Sequence, residues 1–282
     1  MKNWKILLAI LFISIFVVAC GETTIETLET TIETTLETIL ETTVPPTTEP
    51  IISDPDITFK YKLVNDDLTM PYALCTPSTA DTADAPIPLI VWLHGRGDGS
   101  TDIYKVGRRG LPCAMFTWPL DGFNAYVVCP QLTGKWDGRW FTNSAKKHVD
   151  DVIERIIQNY NIDTDRIIIA GHSDGGMGAL YMAATDDNEY YSAVVQITGH
   201  DPGVDMTHIT EISARGYIGS PAYGESAANY YFAVTDYAEL IGEDNVFILD
   251  AGHVQVAVDA FLLDENNDNK SDLIEWMLTQ YK

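Results

Sequence analysis

The chain has 282 residues, a length that fits one large domain or two small ones, and its formal net charge at pH 7 is −24. A surface this acidic repels phosphate backbones, so the composition argues against nucleic acid as a partner. The four cysteines form neither a Cys-x-x-Cys pair nor a cluster with histidine, so the sequence predicts no metal site.

The first 20 residues predict a lipoprotein signal peptide. Lys2 and Lys5 form a basic start, and residues 6–19 form an apolar run that is short for a membrane span. The run ends in Val-Val-Ala-Cys, which resembles a bacterial lipobox, so we expect Cys20 to carry a lipid. The mature protein would then lie at the cell surface, anchored to the outer face of the cytoplasmic membrane or to the outer membrane. Plain secretion, with Cys20 incidental, is the alternative.

Residues 21–50 are rich in Thr and Glu and contain a seven-residue repeat. An apolar stripe runs through this repeat, so a coiled coil is one interpretation. Threonine is a poor helix former, and two and a half heptads are too few to hold a coiled coil together. We therefore predict a disordered tether that ends in a proline-rich stretch, followed by one domain over residues 51–282.

From about residue 55 the pattern changes to alternating strands and helices. Two strands joined by a short polar turn, at residues 57–64 and 70–76, predict an antiparallel start. Further strands are predicted at residues 87–93, 124–129, 167–170, 192–197, 214–218 and 246–249. Helices are predicted at residues 145–160, 177–184, 226–241 and 272–281. Apolar strands that alternate with helices predict an α/β fold with a mostly parallel sheet covered on both faces.

Residues 171–175 read Gly-His-Ser-Asp-Gly and fit the pattern G-x-S-x-G. An apolar strand precedes them and a helix is predicted after them, which is the context of a nucleophile elbow. The glycines permit a turn tight enough to lift the serine hydroxyl above the edge of the sheet. Ser173 is therefore the predicted nucleophile, and an ordinary structural turn is the alternative.

A serine nucleophile needs a general base, and on this fold the chain order is Ser, then Asp or Glu, then His. His200, His208 and His253 are the histidines that follow Ser173. His253 comes directly after the last predicted strand, where a loop can overhang the carboxyl ends of the strands. We therefore predict His253 as the base, with His200 as its rival.

The acid that orients the base is expected in the loop after the strand at 214–218. Glu225 is the single carboxylate in that loop and is the predicted acid. Asp201, one strand earlier, is the alternative acid. A structural reading of Glu225 is also open, because an acidic residue at the start of a helix meets a favourable dipole.

Backbone N–H groups should supply the oxyanion hole. One is that of Asp174, directly after the nucleophile, and the other is expected in the loop 94–99 after an earlier strand. We predict Arg96 as the donor in that loop, whose glycines allow the backbone to approach a substrate.

Together these motifs resemble the α/β-hydrolase superfamily. Residues 92–97 read Trp-Leu-His-Gly-Arg-Gly, residues 127–131 read Val-Val-Cys-Pro-Gln, and residues 160–166 lead into the serine motif. They look most like secreted bacterial esterases of the phospholipase/carboxylesterase and feruloyl-esterase-like groups. The resemblance implies a three-layer sandwich, a mostly parallel central sheet with an antiparallel N-terminal edge, and a serine carboxylic-ester hydrolase without metal or organic cofactor.

This sequence departs from the family pattern at two positions. The family usually has Asp as the acid, where this chain offers Glu225. Met or Gln often follows the serine, where this chain has Asp174. A carboxylate at that point either disfavours anionic substrates or points away from the site.

Several side chains near the predicted site are candidates for substrate binding. Trp136 and Trp140 follow a strand end and suit sugar rings or aromatic acyl groups, although packing under a long loop is the alternative. His94 and His172 flank the predicted catalytic groups. Resemblance and location suggest acyl or feruloyl esters on polysaccharides. A serine peptidase and a non-catalytic binding lipoprotein on the same fold remain alternatives.

Two further motifs each have two interpretations. Residues 264–275 match part of a calcium-binding loop, yet position 6 is Asn269 instead of Gly, so we favour a polar turn that caps the last helix through Ser271 or Asp272. Cys113 and Cys129 could pair outside the cell, but Cys129 ends an apolar strand and fits a buried free thiol equally well.

Overall fold

The computed structural model describes residues 59–99, 105–106, 109–117, 120, 123–132, 138–264 and 270–282. All of them belong to one compact unit, Ile51–Lys282. The predicted signal peptide with Cys20, the predicted tether and Trp136 lie outside these residues. Within them, no helix has both the length and the apolar character needed to cross a membrane.

In the described part of the chain, eight strands form one sheet in the order β1-β2-β4-β3-β5-β6-β7-β8. The strands are β1 Phe59–Val64, β2 Tyr72–Pro77, β3 Ile87–Leu93, β4 Tyr126–Pro130, β5 Ile162–His172, β6 Tyr191–Ile197, β7 Ser213–Gly219 and β8 Val246–Leu249. β1 pairs with β2 and β2 with β4 in antiparallel fashion, and the other pairs are parallel. The prediction of a mostly parallel sheet with an antiparallel N-terminal edge is confirmed.

From β3 onward, α-helices separate most successive strands of the described chain. They are α1 Leu111–Thr117, α2 Asn143–Asn159, α3 Asp174–Ala184, α4 Ala227–Phe232, α5 Ala238–Ile241, α6 Val256–Asp259 and α7 Asp272–Leu278. A π-helical turn, Ala233–Tyr237, joins α4 to α5, so the helix predicted over 226–241 is one interrupted run. α7 ends three residues before the predicted end.

Side chains of the central strands alternate between two apolar cores. On one face, Leu89 and Ile167 pack in the cluster that includes the buried side of α2 and α3. On the other, Ile90 and Ile168 pack in the cluster that includes α1, α6 and α7. Because successive residues of a strand point to opposite faces, an uninterrupted apolar strand fills both cores. The three-layer sandwich is therefore confirmed.

The boundaries around the serine differ from the sequence prediction. β5 extends through His172, and α3 begins at Asp174, directly after the serine, instead of at residue 177. A Cβ atom on Gly175 would collide with the backbone of Leu93, and one on Gly171 would collide with Gly175. The glycines thus allow α3 to start against the sheet, although glycine is a poor helix former in general.

A free thiol at Cys129 and a helix cap at Ser271 both fit the described residues. Cys129 is a wholly buried free thiol, so it forms no disulfide with Cys113, and burial raises its pKa. Ser271 caps α7, since its hydroxyl accepts a hydrogen bond from the Ile274 N–H at 3.3 Å. Residues 265–269 of the calcium-like stretch lie outside the described residues.

Candidate active site

Ser173 occupies a strained turn between β5 and α3. Its φ is +57° and its ψ is −117°, a conformation that residues with a Cβ rarely adopt. Its N–H donates to the Ile197 carbonyl at 2.8 Å, which ties the turn to the neighbouring strand β6. The turn presents the serine hydroxyl at the carboxyl edge of the parallel strands, where loops from several strands converge.

Two residues distant in sequence meet Ser173 at this edge. His253, in the loop after β8, places Nε2 at 2.9 Å from Ser173 Oγ. Its Nδ1 lies 2.9 Å from Oε1 and 3.2 Å from Oε2 of Glu225, in the loop after β7. A carboxylate can only accept, so Nδ1 carries the proton and Nε2 is left to accept from the serine hydroxyl. The structure thus brings the three predicted catalytic residues into one hydrogen-bonded chain.

Glu225 is held in place by three donors. Its side chain is wholly buried, and Oε1 accepts from the Ser226 N–H at 2.8 Å, from Asn229 Nδ2 at 3.2 Å and from His253. These bonds offset the cost of burying the charge. Asp201, the alternative acid, accepts instead from the Gly203 N–H at 2.7 Å within its own exposed turn.

Asn229 helps to hold Glu225 in place, a role that the sequence did not predict. It lies in the first turn of α4, three residues after the cap Ser226, and its amide donates to both Glu225 and the Thr198 carbonyl. The Ser-x-x-Asn spacing marks a helix start. The spacing alone gives no sign that this turn faces the acid.

The predicted oxyanion donors both begin helical turns. Asp174 is the first residue of α3, and Arg96 is the first residue of the short 3₁₀ turn Arg96–Asp98. N–H groups at such positions have no acceptor within their own turn and are available to a ligand.

The Asp174 carboxylate bonds to the loop that precedes α2. Arg139 Nε lies 3.1 Å from its Oδ1, and the backbone N–H of Trp140 also donates to it. Burial has the larger effect and raises the pKa of Asp174, while the Arg139 charge opposes it. The Asp174 carboxylate, a departure from the family pattern, therefore forms an ion pair with Arg139 beside the nucleophile.

His94 and Trp140, two predicted substrate-binding residues, are both buried in the described structure. Trp140 is wholly buried, and its Nε1 donates to the His94 carbonyl at 2.8 Å. His94 is also buried; its Nδ1 lies 2.7 Å from the Gly95 carbonyl, and its Nε2 accepts from the Leu132 N–H. Burial lowers the pKa of His94, which keeps the ring neutral. These bonds tie the start of the predicted oxyanion loop, residues 94–99, to Leu132 and Trp140.

His172, a further predicted substrate-binding residue, is likewise buried, with 3% of its surface exposed. Its Nε2 lies 2.7 Å from the backbone carbonyl oxygen of His253. Burial lowers its pKa from 6.5 to about 4. The ring is therefore neutral at physiological pH.

Acidification should lower the free energy of unfolding over the pH range in which His172 is protonated in the unfolded chain but not in the folded one. Between pH 6.5 and about 4 the unfolded chain binds a proton that the folded chain excludes. This contribution to stability is intact above pH 6.5 and falls as the pH drops, by about 3 kcal/mol in total. Urea unfolding of wild type and His172→Gln at about pH 7 and about pH 4.5 measures it. Wild type should lose more stability than the variant, and equal losses would contradict the prediction.

A sequence model described as the prolyl oligopeptidase family matches residues 131–252. The match covers less than half of the chain; it includes Ser173 and Glu225 and stops one residue before His253. None of the curated proteins that were compared matches this sequence.

Solved esterase structures share the fold. A thermostable esterase is 22% identical with a TM-score of 0.52, over 79% of this chain and 63% of that protein. A ferulic acid esterase is 15% identical with a TM-score of 0.52, over 71% and 93% of the two chains. An acetyl xylan esterase from Aspergillus awamori is 15% identical with a TM-score of 0.51, over 77% and 98%. This chain thus spans less than two thirds of the thermostable esterase, and the likeness establishes the α/β-hydrolase fold.

Proposed function

We propose that this chain, which has the α/β-hydrolase fold, is a serine esterase that cleaves carboxylic esters through an acyl-enzyme. The observation that carries the proposal is the hydrogen-bonded chain from Ser173 through His253 to the buried Glu225. A serine on a strained turn, an imidazole oriented by a carboxylate and two available N–H groups together form the machinery of acyl transfer.

In the proposed reaction, Ser173 Oγ attacks the ester carbonyl carbon while His253 Nε2 accepts the hydroxyl proton. The carbonyl oxygen becomes an oxyanion that the N–H groups of Arg96 and Asp174 stabilise. His253 returns the proton to the ester oxygen as the C–O bond breaks, so the alcohol leaves and the acyl group stays on Ser173. Water then attacks the acyl carbon and gives a proton to His253, the Ser173 Oγ–acyl bond breaks, and His253 returns the proton to Oγ as the carboxylic acid leaves.

The proposed substrates are acyl or feruloyl esters, including those linked to polysaccharides. Similar folds carry the names ferulic acid esterase and acetyl xylan esterase. Tyr223 and Val254 are exposed apolar side chains on the loops that carry Glu225 and His253. These two loops are adjacent, because a Cβ atom on Gly252 would collide with the Tyr223 carbonyl oxygen. An apolar or aromatic acyl group could rest on this surface with little desolvation of polar groups.

The proposed location is the cell surface, through a lipid on Cys20. The support is the sequence of residues 1–20, in which an apolar run ends in Val-Val-Ala-Cys. Detergent phase partitioning of the mature wild type against Cys20→Ala measures it, and a wild type that stays in the aqueous phase would contradict a lipid anchor.

The test of the activity uses the purified full chain. We expect turnover of p-nitrophenyl acetate and of methyl ferulate, and covalent labelling by a fluorophosphonate that mass spectrometry assigns to Ser173. His208→Gln is the matched control, because His208 pairs with Glu211 on the surface and should leave activity unchanged. Absence of both turnover and label in wild type would favour a non-catalytic binding protein and overturn the proposal.

A serine peptidase is the second candidate, and the match to the prolyl oligopeptidase family favours it. The same preparation should therefore be given a fluorogenic prolyl peptide. Cleavage of that amide without cleavage of either ester would replace the esterase proposal with the peptidase, since both use the same acyl transfer.

A further inference from the structure

His172 joins the nucleophile to the loop that carries the base. It is the last residue of β5 and directly precedes Ser173, so its backbone is fixed by the central sheet. Its ring reaches across to the loop after β8, where Nε2 lies 2.7 Å from the His253 carbonyl oxygen. The two imidazole rings lie 5.1 Å apart at 45°. The contact therefore spans 81 residues of sequence and two strands of the sheet.

The protonation state of His172 follows from its partner. A carbonyl oxygen can only accept, so Nε2 carries the proton and donates it to His253. Nδ1 is then a buried lone pair, and within the described residues no group donates to it. Burial is the main cause of the lowered pKa of His172; the hydrogen bond to the His253 backbone opposes it, and the charges of His253 and Arg109 add to the lowering. The neutral Nε2–H ring is thus the form that fits this site.

The oxyanion loop packs against the other side of the same ring. A Cβ atom on Gly95 would lie 3.0 Å from His172 Nδ1, so only a glycine allows this approach without displacement of the ring. Gly95 directly precedes Arg96, the proposed oxyanion donor. His172 therefore lies between the loop of the base and the loop of the oxyanion hole, and it shares a peptide bond with the nucleophile.

We propose that His172 is a positioning residue that fixes the backbone of His253, and through it the imidazole, relative to Ser173 Oγ. The inference rests on the proposed esterase function. The Ser173–His253 bond is 2.9 Å long, and proton transfer is sensitive to its geometry. A loop residue gains this precision only when its backbone is tied to a rigid element, and the described contact ties it to the central strand.

Two substitutions at His172 distinguish the effect of its hydrogen bond from the effect of its packing. His172→Gln keeps an N–H donor near the position of Nε2, whereas His172→Leu fills similar space without a donor. We expect His172→Leu to lower kcat for p-nitrophenyl acetate about 100-fold with KM changed less than about threefold, as for a misplaced catalytic group. His172→Gln should stay within about fivefold of wild type, and His208→Gln should match wild type.

Thermal unfolding of each variant verifies that it is folded. A folded His172→Leu whose kcat stays within about threefold of wild type would overturn the proposal, as would a His172→Gln that falls as far as His172→Leu. If His172→Leu does not fold, the comparison of His172→Gln with wild type and the nitrogen spectra below decide the matter.

A second measurement does not depend on turnover. In ¹⁵N imidazole NMR spectra of wild type, His172 should carry its proton on Nε2 and stay neutral at about pH 5.5. A proton on Nδ1 would overturn the inference whether or not the chain is an esterase. Amide exchange at residues 252–255 should accelerate in His172→Leu, and unchanged exchange would count against positioning. If wild type hydrolyses no ester, while its His172 carries the proton on Nε2 and exchange accelerates in His172→Leu, the proposed esterase function is refuted. The contact between His172 and His253 would still stand.

Discussion

Replacing Ser173 by alanine should lower kcat/KM for p-nitrophenyl acetate by about 10⁵- to 10⁶-fold. The variant loses the atom that forms the acyl-enzyme, and only the oxyanion donors and substrate binding remain to assist attack by water. Alanine on a turn with φ +57° costs no more strain than serine, so the fold should persist. Steady-state kinetics and the loss of fluorophosphonate label measure the effect.

The double variant Ser173→Ala/His253→Ala provides the control for a concerted mechanism. If the serine and the imidazole act as one unit, the double variant should be no slower than Ser173→Ala alone, within about threefold. His208→Gln, purified in parallel, should match wild type and shows that substitution and purification do not by themselves lower activity. A Ser173→Ala protein that keeps more than about a tenth of the wild-type kcat/KM would remove Ser173 from the mechanism.

Replacing Glu225 by glutamine should lower kcat by about 10³- to 10⁴-fold. Glutamine has nearly the same volume, but it is uncharged and presents an amide donor that can force the imidazole into the wrong tautomer. The loss is expected to be severe because Oε1 accepts three hydrogen bonds in a wholly buried position. Initial rates over a range of substrate concentrations separate kcat from KM.

Asp201→Asn is the matched control for the acid. Asp201 bonds to its own turn at the surface, so the variant should retain kcat within about threefold of wild type. Far-ultraviolet circular dichroism must show that Glu225→Gln is folded. A larger loss in Asp201→Asn than in Glu225→Gln would transfer the role of acid to Asp201.

The site rests on buried polar side chains that the reaction itself does not use. His94 bonds to the Leu132 N–H, Trp140 to the His94 carbonyl, His172 to the His253 carbonyl, and Asp174 to Arg139. Each of these groups has a specific partner, and such networks fix a unique geometry where apolar packing alone would allow several. The loops that carry the proposed catalytic groups thus gain rigidity from side chains beneath the surface.

Much of the sheet could be predicted because its strands are local patterns. The apolar run at 87–93 coincides with β3, which is buried along its whole length, and the run at 246–249 coincides with β8, a partly exposed strand at the edge of the sheet. The elbow was equally local, because the strand, the glycines and the serine lie within one short stretch. The start of α3 was missed because Gly175 and Gly176 are poor helix formers in isolation, and only their contacts show why they are there.

The sequence by itself determined the fold class, the tight turn at Ser173 and the chain order that points to His253. Only the tertiary structure decided that Glu225 meets His253 while Asp201 does not, and that His172 and Trp140 lie beneath the site instead of lining it. Backbone patterns have a period that can be read along the chain. The partner of a side chain depends on strand register and loop path between residues about 30 to 80 apart, and no local pattern encodes these.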